Sequence, residues 1–339
     1  MRIARGEGSP AGEGVHRSIA LAVCALALLF AVALGVAFGS GGARLVDLFD
    51  GATRAHDVIV GYRLPRVLLG VVTGAGLAAV GAAFQTVLRN PLAEPYVLGV
   101  SGGSALGATM AMALGLGGLG VLGAAGVPAV AFAGGAAATA IVWALVRAGR
   151  SGGSSILLAG YVVNSISGAG IMLIEALAPT RVQPVVWWLM GYLDVPSWGQ
   201  LAFVSGYVAC GLAVLLVDAG QMNLLSLGDE PAATLGVDVR SLERRTFFAC
   251  AAVVGAVVSV TGLIGFVGLV VPQAMRRVLG PDLRVVLPAS AMVGGATLVG
   301  CDLLVRVLAQ RLHTELPVGA VTSLLGGPVF LVLLTRRRG

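Results

Sequence analysis

Runs of about 20 apolar residues return so often along this 339-residue chain that a water-soluble fold is closed to it. Nine stand out, at about 18–39, 64–87, 96–114, 121–147, 155–178, 199–217, 246–264, 286–309 and 318–335. In a bilayer every backbone N–H and C=O must find its partner inside the protein, so runs of this length become helices. Composition agrees: 57% of residues are hydrophobic and 11% charged, where soluble domains carry about a quarter charged residues. Many of the 51 glycines fall inside the runs, as at Gly70, Gly74, Gly76 and Gly81, and small residues let helix backbones approach closely in lipid. The first run follows Arg2, Arg5 and Arg17 and covers about 22 residues. The core of a cleaved signal peptide is about 7–15 residues, so this run is read as a retained helix.

Charge settles the number of crossings. Between the seventh and eighth long runs lies "GFVGLVVPQAMRRVLGPD", an apolar piece too short to cross alone and interrupted by Pro272. Counted as a crossing, it makes ten. With a cytoplasmic N-terminus, fifteen of the 22 basic residues then lie inside, among them Arg89, Arg147, Arg240, Arg276, Arg277 and the terminal Arg336, Arg337 and Arg338. Those left outside are Arg44, Arg54, Arg63, Arg66, Arg181, Arg306 and Arg311. This satisfies the positive-inside bias, whereas nine crossings would turn the terminal arginines outward. Arg63 and Arg66, flanking Pro65, are thus on the outer face, against the bias. Two readings stand at this point: anchors that reach the outer headgroups, or groups that contact something outside.

Several chemistries are excluded. The chain has no lysine, and all 22 basic residues are arginine; a Walker A loop needs its lysine on the nucleotide phosphates, so the chain cannot hydrolyse ATP by that route. Cys24, Cys210, Cys250 and Cys301 stand singly in apolar runs, and His16, His56 and His313 are scattered; no metal site, cofactor site or catalytic set emerges. "GVSGG" at 99–103 resembles a nucleophile turn only superficially. A modest net charge of +6 suits loops facing anionic lipid and offers no stripe for nucleic acid. Ion-coupled carriers bury ionisable groups near the membrane centre, but the candidates here, Glu175 and Asp302, sit toward the outer ends of their runs, with Asp302 one turn from Arg306. What remains is a path-forming subunit powered by a partner.

The cytoplasmic segment 218–245, "DAGQMNLLSLGDEPAATLGVDVRSLERR", has helix signals. Gly228, Asp229, Glu230 and Pro231 suit a helix start, with acids at the positive dipole end and proline in the first turn. Gly236 ends that short helix and "VDVRSLERR" begins another. Two short helices facing the cytoplasm read as a docking surface. Outside, 179–198 carries Trp187, Trp188, Tyr192 and Trp198, an interfacial belt compatible with a short surface helix.

Four blocks, in order, resemble the permease subunits of the FecCD/BtuC-like ABC importers for iron–siderophore, haem and corrinoid. They are "RLPRVLLGVVTGAGLAAVGAAFQTVLRNPLAEPYVLGVSGGSALGA", "SLGDEPAATLGVDV", "GLIGFVGLVVPQAMRRVLGPDLRVVLPASAMVGGATLVGCDLLVRVL" and "ELPVGAVTSLLGGPVFLVLL". The resemblance implies an all-α membrane protein of about ten helices, of the type II importer kind, in the bacterial inner (cytoplasmic) membrane. Its single permease domain would span 18–335, between a cytoplasmic tail at 1–17 and a cytoplasmic end at 336–339. It further implies a homodimer with two cytoplasmic ATPase subunits and a periplasmic or lipid-anchored binding protein for a metal-chelate substrate. By the same resemblance, Arg63, Arg66 and Arg306 would dock the binding protein through its glutamates. Gly228, Asp229, Glu230, Leu235 and Gly236 would form the helix that couples to the ATPase. Asn90, Leu92, Ser154 and Ser155 would close a cytoplasmic gate. Gln273 departs from the pattern, since histidine is common there in the family. Within the family the first expectation is iron–siderophore, with haem or corrinoid as the alternative. The alternatives from other classes are a stand-alone ion-coupled transporter and a membrane scaffold.

Overall fold

The computed structural model describes residues 10–38, 54–116, 121–148, 153–178, 182–314 and 316–335. All regular structure among them is helical. The ten long helices expected are present: α1 (Pro10–Ala37), α3 (Leu64–Val87), α4 (Val100–Ala113), α5 (Val121–Ala148), α6 (Gly153–Leu177), α8 (Trp198–Leu225), α10 (Val239–Thr261), α11 (Val267–Leu279), α12 (Leu283–Leu312) and α13 (Val318–Thr335). Three short ones, α2 (Arg54–Val58), α7 (Val182–Leu189) and α9 (Asp229–Thr234), lie between them. Among the described residues, seven helices are long and apolar enough to cross a membrane alone. The 14 residues of α4 and 13 of α11 reach about 20 Å each at 1.5 Å per residue, short of a roughly 30 Å hydrocarbon core.

The centre of the protein is α3, most of whose residues from Thr73 to Val87 are buried. It packs on α12, α8 and α11, and glycines set two of those crossings. A Cβ on Gly74 would overlap the Gly294 carbonyl of α12, and one on Gly81 would overlap the Gly268 carbonyl of α11. Backbone thus meets backbone, the close approach that drives helix association where lipid leaves little hydrophobic incentive.

The structure moves three expected boundaries. The helix α1 begins at Pro10, inside the segment read as a tail, with proline in the first turn where its missing N–H costs nothing. The connection read as 218–245 is shorter, because α8 continues to Leu225 and α10 starts at Val239. Asp218 is tolerated inside α8 because Arg245 grips it with two bonds, Nε to Oδ2 at 3.1 Å and Nη2 to Oδ1 at 3.0 Å. Finally, the break falls before α11, at residues 262–266 where Gly262 and Phe266 take positive φ, and not at Pro272. Proline there denies the Gly268 carbonyl its usual helical N–H, yet Gln85 of α3 donates Nε2 to that carbonyl at 3.4 Å and to Leu269 O at 3.1 Å. The helix survives its proline because a neighbour's amide takes over.

Candidate functional site

At the end expected to face outward, Arg66 and Arg306 pair with one carboxylate, and Arg63 joins Arg306 on the end of α1. The approach to α3 is wound as a π-turn over Ile59–Arg63, with the Leu64 N–H bonded to Ile59 O. Pro65 has no N–H to give, and a widened turn is a common response to such a gap. Arg63, at the end of that turn, is turned inward and only 5% exposed. Its Nη1 donates to the last carbonyls of α1, Val36 O at 3.1 Å and Ala37 O at 3.3 Å. From α12, Arg306 donates Nη2 to Gly35 O at 2.9 Å and Nη1 to Phe38 O at 3.0 Å. Cations at a helix C-terminus meet the negative end of its dipole and its orphan carbonyls at once.

Asp302, 1% exposed, joins the set. Its Oδ1 accepts from Arg66 Nε at 2.9 Å and lies 2.9 Å from Arg66 Nη2, while its Oδ2 lies 2.9 Å from Arg306 Nε. Among the described residues, these three guanidiniums and one carboxylate leave two more positive charges than negative in the cluster. Beside them opens a cavity of about 840 Å³ whose walls include Arg66, Arg306, Trp187, Trp188, Tyr192 and Asp194. The expected outer surface helix is α7, and two of these tryptophans come from it.

At the opposite end, expected to face the cytoplasm, an ion pair links the short helix expected to couple to the loop expected to gate. Gly228 starts α9 at φ +125° and Gly236 follows it at φ +85°, both in the range that favours glycine. Asp229 accepts from Arg89 Nη2 at 2.7 Å, which ties α9 to the loop after α3. In that loop the Asn90 Oδ1 accepts from the Leu92 N–H at 2.9 Å, an Asx turn that shapes it. Leu92 is 51% exposed and Leu235 59%. The backbone of Ser154 and Ser155 opens α6, but their side chains lie outside the described residues. Asp238 caps α10 by accepting from the Ser241 N–H at 3.1 Å.

Several further residues hold this end together; of these, only Gln273 was singled out in the sequence. Gln273 donates Nε2 to Gln85 Oε1 at 2.9 Å and to Pro91 O at 3.1 Å, pinning the loop that carries Asn90 and Leu92 to α11. Arg276 donates to Ala82 O at 2.7 Å and to the Thr86 hydroxyl at 2.5 Å. Glu94 accepts from the Phe266 N–H at 3.2 Å and so caps α11; burial pushes its carboxyl above the usual range, against the opposing pull of that N–H. The Tyr96 hydroxyl donates to Ile264 O at 2.7 Å and accepts from the Ile264 N–H at 2.8 Å. Replacing Gln273 with leucine is expected to lower stability by about 1–3 kcal/mol, the cost of stranding buried polar groups. Thermal unfolding in detergent measures it, and an unchanged midpoint would show that the pin carries no weight. Among the described residues no group of His, Cys, Asp and Glu is placed to hold a metal.

Comparison with known proteins places this geometry. The FecCD transport family matches residues 23–336. The chain is 42% identical over 289 residues to the cobalamin import system permease protein BtuC of Halobacterium salinarum, covering 85% of this chain and 76% of that one. It is 39% identical over 319 residues to the hemin transport system permease protein HmuU of Yersinia pestis, covering 92% and 94%. It is 34% identical over 318 residues to the Fe(3+)-citrate import system permease protein YfmE of Bacillus subtilis, covering 93% of each. A solved inward-facing structure of a metal-chelate type ABC transporter superposes with a TM-score of 0.84 at 28% identity, over 94% of this chain and 99% of that one.

Proposed function

The chain belongs to the FecCD transport family, and from that premise we propose how it works and what it carries. It is the permease subunit of an ABC importer for a metal chelate of the iron–siderophore, haem or corrinoid type. It is a multi-pass membrane protein that performs no catalysis itself and pairs with a separate ATPase. The family architecture implies a homodimer with ABC ATPase subunits inside and a substrate-binding protein outside.

The working parts are proposals. The observation that carries them is the Arg89–Asp229 pair at 2.7 Å, because it joins an exposed cytoplasmic helix to the loop bearing Asn90 and Leu92. In this reading α9 seats in a cleft of the ATPase, two of which serve one homodimer, and ATP-driven closure moves α9. The ion pair carries that motion into the gate, formed by Asn90 and Leu92 with Ser154 and Ser155. A ring of small polar groups and a leucine seals against ions without holding a bulky ligand. Outside, the surplus positive charge around Asp302 receives carboxylates of the binding protein, since guanidinium–carboxylate pairs steer docking and remain reversible.

For the substrate we take a ferric siderophore first. Relatives named for hemin and Fe(3+)-citrate support an iron-bearing chelate. The 42% identity to a cobalamin permease favours a corrinoid as the second reading. Uptake by cells producing the whole transporter, offered labelled ferric siderophore, haemin and cobalamin in turn, distinguishes them. Accumulation of the ferric siderophore is expected, and accumulation of cobalamin alone would transfer the assignment to the second reading.

A further inference from the structure

We infer that a groove between the end of α8 and the start of α12 holds a phospholipid with an anionic headgroup, its phosphate on the Arg284 guanidinium and an acyl chain along α8. The groove encloses about 560 Å³, with Leu216, Val217, Gln221, Leu224 and Arg284 on its walls and Gly220 at its floor.

Depth places the groove at a membrane surface. Along α8, Phe203, Gly206, Cys210, Ala213 and Val217 are all exposed, and their spacing of three and four residues puts them on one face. In a membrane-spanning helix such a face meets acyl chains. Trp198 opens α8 and is 53% exposed, and tryptophan gathers at the membrane–water interface. At 1.5 Å per residue, Val217 lies about 28 Å further along the helix and Leu224 about 39 Å. The hydrocarbon core is about 30 Å thick, so the groove straddles the opposite interface. Val217, 82% exposed, stands at the edge of the acyl layer, while Gln221 and Leu224 reach the level of the phosphates. This end carries α9 and is expected to face the cytoplasm, where anionic headgroups give the leaflet its negative potential.

Arg284 is the charge a headgroup meets there. Its guanidinium rests over Gly220, where a Cβ would fall 2.6 Å from Nη2 and 3.3 Å from Nε; the missing side chain is what admits it against α8. The acids around it are already engaged. Asp282 lies 3.1 Å from Arg17 and accepts from Asn223 Nδ2 at 2.8 Å and from the Arg284 backbone N–H at 3.0 Å. Asp218 is held by Arg245. Among the described residues no carboxylate pairs with the Arg284 side chain. The Gln221 Oε1 accepts from Arg245 Nη2 at 3.3 Å, which leaves its Nε2 as a further donor. A planar guanidinium matches two phosphate oxygens at once. Leu216, Val217 and Leu224 add an apolar wall that a free phosphate would leave unused and an acyl chain would cover. One unopposed positive charge also favours an anionic headgroup over a zwitterionic one, whose own ammonium it would repel.

The test titrates lipid onto the full transporter, permease with its ATPase, and reads the bound species by native mass spectrometry. The probes are dioleoylphosphatidylglycerol, dioleoylphosphatidylcholine and inorganic phosphate. The parent is expected to bind phosphatidylglycerol at least about fivefold more tightly than phosphatidylcholine, the scale of one arginine at a charged surface. Arg284→Gln should lose that margin. Gly220→Ala keeps the charge but displaces it, and should weaken phosphatidylglycerol at least about threefold. Arg277→Gln removes an exposed arginine of the same end and should bind as the parent does. Equal weakening by Arg277→Gln and Arg284→Gln would overturn the proposal, since only diffuse attraction would remain. Equal binding of the two lipids by the parent, or displacement of phosphatidylglycerol by inorganic phosphate, would overturn it as well. Loss of the ATPase from Arg284→Gln with lipid binding kept would assign the groove to the ATPase instead.

Discussion

Gly81→Leu should leave no folded permease. A side chain at this position has to displace the Gly268 carbonyl at the first turn of α11, and backbone cannot swing aside as a flexible side chain does. Overpacking costs about 1–3 kcal/mol and at times more, and here the damage spreads. One turn further along α3, Gln85 donates to Gly268 O and Leu269 O, the first of these standing in for the N–H Pro272 lacks. Pushing α3 and α11 apart breaks them, at about 1–3 kcal/mol for each buried group stranded. Together these reach the scale of a whole domain's stability, about 5–15 kcal/mol. The measurement is the monodisperse fraction on size exclusion in mild detergent, with Gly206→Leu as the control. Gly206 has open space where a Cβ would go, so that variant should match the parent. A monodisperse Gly81→Leu protein would show that α3 and α11 do not pack backbone to backbone.

Leu235→Asp should separate ATP hydrolysis from uptake. Leu235 follows the end of α9 and is 59% exposed, while Ala232 within that helix is fully buried and seats it. Replacing Leu235 therefore leaves the permease fold intact but puts a charge on the surface proposed to meet the ATPase. Burying that charge without a partner is costly, and a loss of about 1.4 kcal/mol in seating already means tenfold. Expected is an unfolding midpoint equal to the parent, continued ATP hydrolysis and uptake reduced at least about tenfold. Normal coupling would remove α9 from the ATPase interface.

Local signals in the sequence were good guides to this protein, and long-range pairings were not. The apolar runs gave helices because lipid permits little else, and the Gly-Asp-Glu-Pro start of α9 was readable because each residue suits its own position. Charge counting singled out Arg63, Arg66 and Arg306, and the structure gathers them at one end of α3 and α12. What counting does not reveal is that Asp302 serves Arg66, 236 positions away in the chain, as well as its own neighbour Arg306. Nor does Arg63 announce its burial, since the carbonyls that hold it belong to α1. Pro272 was taken for a break because its rescue by Gln85 depends on two helices meeting at Gly81 and Gly268. Glu94 and Tyr96 passed unnoticed for the same reason: their partners, Phe266 and Ile264, lie on the far side of a fold that no periodicity encodes.

That this chain is a path powered from outside itself is tested most directly by uptake into liposomes holding the permease with its ATPase. Ferric siderophore is presented with the binding protein outside and ATP is enclosed within. Accumulation should need enclosed ATP, stop with vanadate and be indifferent to collapse of the proton gradient. Accumulation that follows a proton gradient with no ATPase present would contradict it.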